Sequence, residues 1–222
     1  MVLMYHDVAE RGGDIWCVSP KAFRRQMEAI RERRLRVVPL DGYDPFDPRQ
    51  VVVTFDDGYA SLVANVAPTM REFGWPFEVF VIGEPPADAR SAYLDDDGMR
   101  ALVSAGGRLQ WHTRTHANIR LCPPERLDDE LTVPERLRRL DPAGFRYFAY
   151  PFGEWTPAAK AEVKRRFDGA VVIGMGAPTS DRHGIQRFAV FEDTNLAYLG
   201  KSSLAKALKA IARLDFRYLL RR

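Results

Sequence analysis

The chain of 222 residues is poor in cysteine, in histidine and in long apolar runs, and each shortage narrows what it can be. Its two cysteines, Cys17 and Cys122, form no CxxC pair and no metal-binding spacing. That argues against a disulfide framework and suits two free thiols in a reducing compartment. No segment approaches the ~18 consecutive apolar residues of a membrane-spanning helix. The opening MVLMYHDV has neither a basic n-region nor a long apolar h-region, so the expectation is a cytoplasmic protein, exported only if a leader once preceded it. A net charge of +3 is too small to demand a nucleic-acid partner. There is no internal repeat and no low-complexity linker. Hydrophobic residues at 46% and charged residues at 28% are ordinary for a globular chain. The length suits one sizeable domain or two small ones, and a single domain over residues 1–222 is expected.

Short β-type runs alternate with helical patterns. VLMY (2–5), RVV (36–38), VVVTF (51–55), FEVFVI (77–82), RLQW (108–111), FRYFAY (145–150), AVVIG (170–174) and QRFAV (186–190) read as strands. Ser19-Pro20 starts a helix, with the serine as N-cap and Phe23, Met27 and Ile30 on one face. Residues 60–73 read as one helix. Pro134 should kink or split another over about 124–140, and Thr156-Pro157 opens a further one. Asp95, Asp96 and Asp97 read as a helix-start cluster favoured by the macrodipole rather than as a metal site. A last, basic amphipathic helix over about 202–222 would dock on the domain, with contact to a membrane surface or an acidic glycan as the alternative. Strands alternating with helices predict an α/β fold with a parallel sheet, here a deformed (β/α) barrel of about seven strands.

In such barrels chemistry sits at the C-terminal ends of the strands. The polar clusters fall there: His6 after the first strand, Asp56 and Asp57 after VVVTF, and His112 and His116 after RLQW. Two adjacent carboxylates beside a buried strand repel each other and need a cationic partner. Two neutral imidazoles and one carboxylate leave open positions on a divalent cation, as catalytic zinc sites do. The second carboxylate can then remain a base.

TFDDG (54–58), HTRTH (112–116) and FAYPFG (148–153) resemble the first three motifs of the polysaccharide deacetylases, carbohydrate esterase family 4. YHDV (5–8) and the order of segments to about residue 190 resemble the branch of the poly-N-acetylglucosamine deacetylases. The resemblance implies a deformed barrel, one divalent metal ion (zinc, with cobalt or nickel tolerated) and removal of an acetyl group from an N-acetylated sugar. It implies Asp57, His112 and His116 as metal ligands and Asp56 as general base. The backbone N–H of Phe152 would stabilise an oxyanion, and Tyr150, Pro151 and Phe152 would line the glycan groove. Trp111, just before the first motif histidine, is a further candidate to contact sugar, or else simply packs.

The sequence departs from that pattern in three places. Ala149 stands where the family has an arginine that tethers the base, and Arg187 is the substitute candidate. The aromatic fourth motif is not evident. The late histidine that serves as general acid is absent, which leaves His6, ahead of His183, as the candidate donor. These departures keep two alternatives open: a catalytically weak glycan-binding protein on the same scaffold, and a hydrolase of a small non-sugar amide.

Overall fold

In the computed structural model, residues 1–10, 14–174 and 178–196 are described. The helix expected from about 202 lies outside them. Strand β1 (Val2–Tyr5) is followed by two short strands, β2 (Asp7–Val8) and β3 (Cys17–Val18), and by helix α1 (Pro20–Glu32). Next come β4 (Arg36–Val37), β5 (Gln50–Phe55), α2 (Ser61–Asn65), α3 (Ala67–Phe73), β6 (Phe77–Val81), α4 (Asp96–Ser104) and β7 (Gly107–Trp111). The chain continues through α5 (Pro124–Leu131), α6 (Glu135–Leu140), β8 (Tyr147–Ala149), α7 (Pro157–Arg166), β9 (Gly169–Ile173) and β10 (Ile185–Ala189).

Seven parallel strands close into a barrel in the order β1, β10, β9, β8, β7, β6, β5, and β5 returns to pair with β1. Strand β4 lies outside the ring and pairs only with the start of β5. Helix starts follow the sequence signals. Ser19 Oγ accepts from the Ala22 amide, Asp95 Oδ1 from the Gly98 amide and Thr156 Oγ1 from the Ala159 amide. Pro134 separates α5 from α6 as expected. The single helix expected over 60–73 is instead two, because Pro68 lacks an amide hydrogen and the chain restarts at Ala67.

Alternation along the strands sorts side chains into two layers. Phe55, Val79, Leu109 and Phe148 face outward into the main core beneath the helices. Val2, Val52, Phe80, Tyr147, Ala149 and Val171 fill the barrel itself, with Leu40 packed against them. The barrel also holds polar residues. Glu78 accepts from the Leu40 amide at 2.8 Å and from Gln110 Nε2 at 2.7 Å, and Gln110 Oε1 accepts from the Tyr147 amide at 2.8 Å. Every hydrogen-bonding atom of this carboxylate is thus used inside the barrel, although burial still pushes its pKa up to about 6.

Candidate active site at the mouth of the barrel

The site is built from turns that leave the C-terminal ends of β1, β5, β7 and β8. After β5 the Gly58 amide donates back to the Asp56 carbonyl at 2.9 Å, a three-residue turn whose central residue, Asp57, has φ 69°. Gly58 itself has φ 78°, and a Cβ there would lie 3.1 Å from Val81 Cγ1, so glycine alone suits the position after the two aspartates. Three more site residues adopt left-handed backbone: Thr113 at φ 65°, His116 at φ 57° and Phe152 at φ 59°. Such conformations each cost about 1–3 kcal/mol and persist where the surroundings impose them.

These turns bring Asp57, His112 and His116 together, with one ligand-type atom from each lying within 4.8 Å of the others. Asp57 Oδ1 stands 3.5 Å from the Nε2 of His112 and 3.5 Å from that of His116. It is a buried carboxylate oxygen without a hydrogen-bond partner among the described residues. His112 Nδ1 lies 2.9 Å from the Ala149 carbonyl. A carbonyl only accepts, so Nδ1 carries the hydrogen and Nε2 presents its lone pair to Asp57. Burial lowers the pKa of His112 to about 3 and also lowers that of His116, which keeps both imidazoles neutral. Burial, with the neighbouring charge of Asp56, raises Asp57 to about 7. A carboxylate oxygen without a partner, facing two neutral imidazole lone pairs, is a donor set that fits a divalent cation.

Asp56 is in a different setting. Arg187, from the middle of β10, reaches up inside the barrel and donates to both its oxygens, at 2.6 and 2.5 Å. The same guanidinium donates to Thr54 Oγ1 at 3.1 Å and lies over the Phe80 ring. Burial would raise the Asp56 carboxyl, but the charge and hydrogen bonds of Arg187 prevail and hold it at about 2. Ala149 occupies the barrel interior at the end of β8, so the guanidinium comes from another strand.

His6 lies close enough to Asp56, Arg187 and His116 for their charges to act on it, and burial lowers its pKa to about 4. Its buried Nδ1 has no hydrogen-bond partner among the described residues. The small β2–β3 pair places Trp16 against it, with ring centroids 4.6 Å apart, and Phe191 backs Trp16 at 5.5 Å. Trp16 and Phe191 carried no signal in the sequence, because only the fold brings their segments to His6. His183 is elsewhere, in the turn leading into β10, with Nε2–H donating to the Phe167 carbonyl at 2.8 Å.

Of the residues offered as sugar contacts, Phe152 is 63% exposed and its ring sits 4.9 Å from that of His116. The others are placed differently. Trp111 is fully buried on the helix side of β7, donates from Nε1 to the Glu130 carbonyl at 2.9 Å and packs on Gly83, so it is a core residue and not a sugar platform. Tyr150 also points outward, against Phe148, and its hydroxyl donates to the His183 carbonyl at 3.2 Å, so its side chain does not line a groove. Pro151 is buried too. Tyr59, which interacts with Asp57, stacks with Tyr93 at 5.2 Å, an aromatic pair next to the site.

The polysaccharide deacetylase family model matches residues 43–166, more than half of the chain. The polysaccharide-deacetylase-like protein YxkH of Bacillus subtilis is 22% identical over 198 residues, covering 82% of this chain and 67% of that protein. The poly-beta-1,6-N-acetyl-D-glucosamine N-deacetylase of Escherichia coli is 29% identical over 108 residues, 43% of this chain but only 16% of that much longer protein. The crystal structure of a polysaccharide deacetylase from Bacillus cereus superposes with a TM-score of 0.78 at 21% identity, covering 90% of this chain and 68% of that one. On the extent of the family match, and with the barrel that the match predicts, this chain belongs to the polysaccharide deacetylase family.

Proposed function

We propose that the protein is a metal-dependent hydrolase that removes the acetyl group from an N-acetylated sugar in a polysaccharide, oligosaccharide or glycan precursor. The observation that carries this reading is the orphaned Asp57 oxygen, 3.5 Å from each of two imidazole nitrogens, next to a second carboxylate already held by Arg187. In this reading Asp57, His112 and His116 hold one divalent ion, zinc by preference and cobalt or nickel as substitutes. The ion supplies the Lewis acidity that polarises an acetyl carbonyl.

The chain's own groups do the rest. Asp56, ionised at neutral pH, accepts a proton from the water that attacks the acetyl carbon. Arg187 keeps it in place and ionised. The Phe152 N–H, on its left-handed turn, donates to the oxygen that gains charge. His6 rests neutral; as negative charge develops beside it, it takes up the proton that Asp56 accepted from the water and becomes the donor. It then protonates the amine nitrogen as the C–N bond breaks. Hydroxide ends on the acetyl group and the proton on nitrogen, giving acetate and a free amino sugar. Phe152, beside His116, and the Tyr59–Tyr93 pair, beside Asp57, offer aromatic faces to a sugar ring.

The contact between Arg187 and Asp56 answers the missing tether, one of the two departures behind the catalytically weak glycan-binder reading, and so supports the hydrolase. The absent late histidine is the other, and His6 is the donor assigned in its place. The name of the Escherichia coli relative supports a sugar amide over a small non-sugar amide. The test is acetate release from β-1,4- and β-1,6-linked N-acetylglucosamine oligomers, with zinc and after chelation. Release that needs the metal is expected. Release from small amides alone, or from nothing while zinc is bound, contradicts the reading.

A further inference from the structure

The segment between the two site histidines is pinned from one helix, and the pin is a side chain to which no role has yet been given. Glu130, in the last turn of α5, is a carboxylate only 1% exposed. Its Oε2 accepts from the Thr115 amide at 2.9 Å and its Oε1 from the Thr115 hydroxyl at 2.6 Å. Arg126, one helical turn earlier, donates to the same Oε1 at 2.9 Å and to the Thr115 oxygen at 3.0 Å. Burial would raise the carboxyl, but Thr115 and Arg126 outweigh it and keep its pKa below the ordinary range.

The Glu130 carbonyl is as busy as its side chain. It lies in the last turn of the helix, where carbonyls lose their intrahelical partners. It accepts instead from Trp111 Nε1 at 2.9 Å and from the Arg114 amide at 3.1 Å. One residue thus binds positions 111, 114 and 115, on the chain between the end of β7 and His116. The other side of the segment is tied to the turn after β6, where the Gly83 amide donates to the Thr113 carbonyl and the Glu84 amide to the Arg114 carbonyl. Thr113 Oγ1 accepts from the Ala117 amide at 3.1 Å. His116 holds a left-handed φ of 57° inside this frame, and released from it that backbone would relax toward the favoured negative φ.

We propose that Glu130 is the positioning residue of the histidine segment: through Thr115 it enforces the left-handed turn that carries His116 to Asp57, and so sets the affinity and geometry of the cation site. The inference rests on the metal-site reading above. Glu130 touches neither cation nor substrate. Its loss would widen the spread of His116 positions, and groups that orient ligands in this way are worth about 10–100-fold in metal affinity.

The test is metal binding to the stripped full chain, by competition of zinc with a chromophoric chelator and by the visible spectrum of the cobalt-loaded protein. Glu130→Ala is expected to weaken zinc about 10–100-fold and to change the cobalt spectrum. Glu130→Gln, which turns one acceptor into a donor facing Thr115 or Arg126, should weaken it less. Thr115→Val, which removes only the hydroxyl, should weaken it least. Leu137→Ala, a core truncation in α6, serves as a control that lowers stability without touching the segment and should bind zinc like the parent. If Glu130→Ala does not fold, Glu130→Gln and Thr115→Val decide. Parent-like affinity and spectrum in the folded variants would overturn the proposal while leaving the metal site standing. Failure of the parent itself to bind a divalent ion would overturn the site reading on which it depends.

Discussion

Arg187 grips both carboxylate oxygens of Asp56, at 2.6 and 2.5 Å, from a strand 131 positions further along the chain. Both side chains are almost fully removed from solvent. A buried pair of this kind is costly to break from one side, because the survivor is left charged and unpaired. Arg187→Met should therefore destabilise the fold by about 3–5 kcal/mol. It should also raise the Asp56 pKa, since burial then acts unopposed. The variant should lose deacetylation at neutral pH and recover part of it as pH rises. Denaturant titration and a pH–rate profile check both; an unshifted profile with only reduced stability would mean that Arg187 is a structural partner and nothing more.

Asp56→Asn should abolish turnover while leaving zinc bound, because an amide cannot take the proton of the attacking water. The expected loss is about 10²–10⁴-fold, the usual worth of a general base. Loss of activity in step with loss of metal would place Asp56 among the ligands.

Much of this site was readable before the fold was known, for identifiable reasons. The two aspartates, HTRTH and PFG each follow an apolar strand run, and a barrel gathers strand ends at one mouth. Arg187 was readable as a substitute only because Ala149 left a gap in a known pattern. Tyr150 was misplaced, and Trp111 left undecided between sugar contact and packing, although alternation held the answer. If His112 faces the barrel then Trp111 must face the helices, and with Ala149 inward Tyr150 points out. Glu130 and Trp16 were not readable, since their partners are set by how α5 and the β2–β3 pair dock.

His6→Ala should lower kcat on an N-acetyl sugar by about 10²-fold or more, the scale of a lost general acid. On an activated ester, whose leaving group needs no proton, the loss should be much smaller. His183→Ala, remote from the site, should change little. Equal losses on amide and ester for His6→Ala would assign the residue to structure instead. Trp16→Ala, which frees the His6 ring, should lower kcat on the amide more than on the ester.

Glu78 should leave a mark on stability as a function of pH. Its folded pKa of about 6 lies above the reference value of 4.5, so the folded state holds a proton that the unfolded chain has released. Stability from this group is therefore lost as pH rises from about 4.5 through 6, by roughly 2 kcal/mol at 1.36 kcal/mol per pK unit. Subtracting the profile of Glu78→Gln from that of the parent should reveal this fall; identical slopes across the window would show that the carboxyl titrates normally.

The central claim is that three residues hold one divalent ion. Metal-stripped protein titrated with zinc, followed by metal analysis after gel filtration, tests it most directly. The account predicts one ion per chain in the parent and a sharp loss of bound zinc in His112→Ala with the fold intact by circular dichroism. Full stoichiometric zinc in that variant would contradict it.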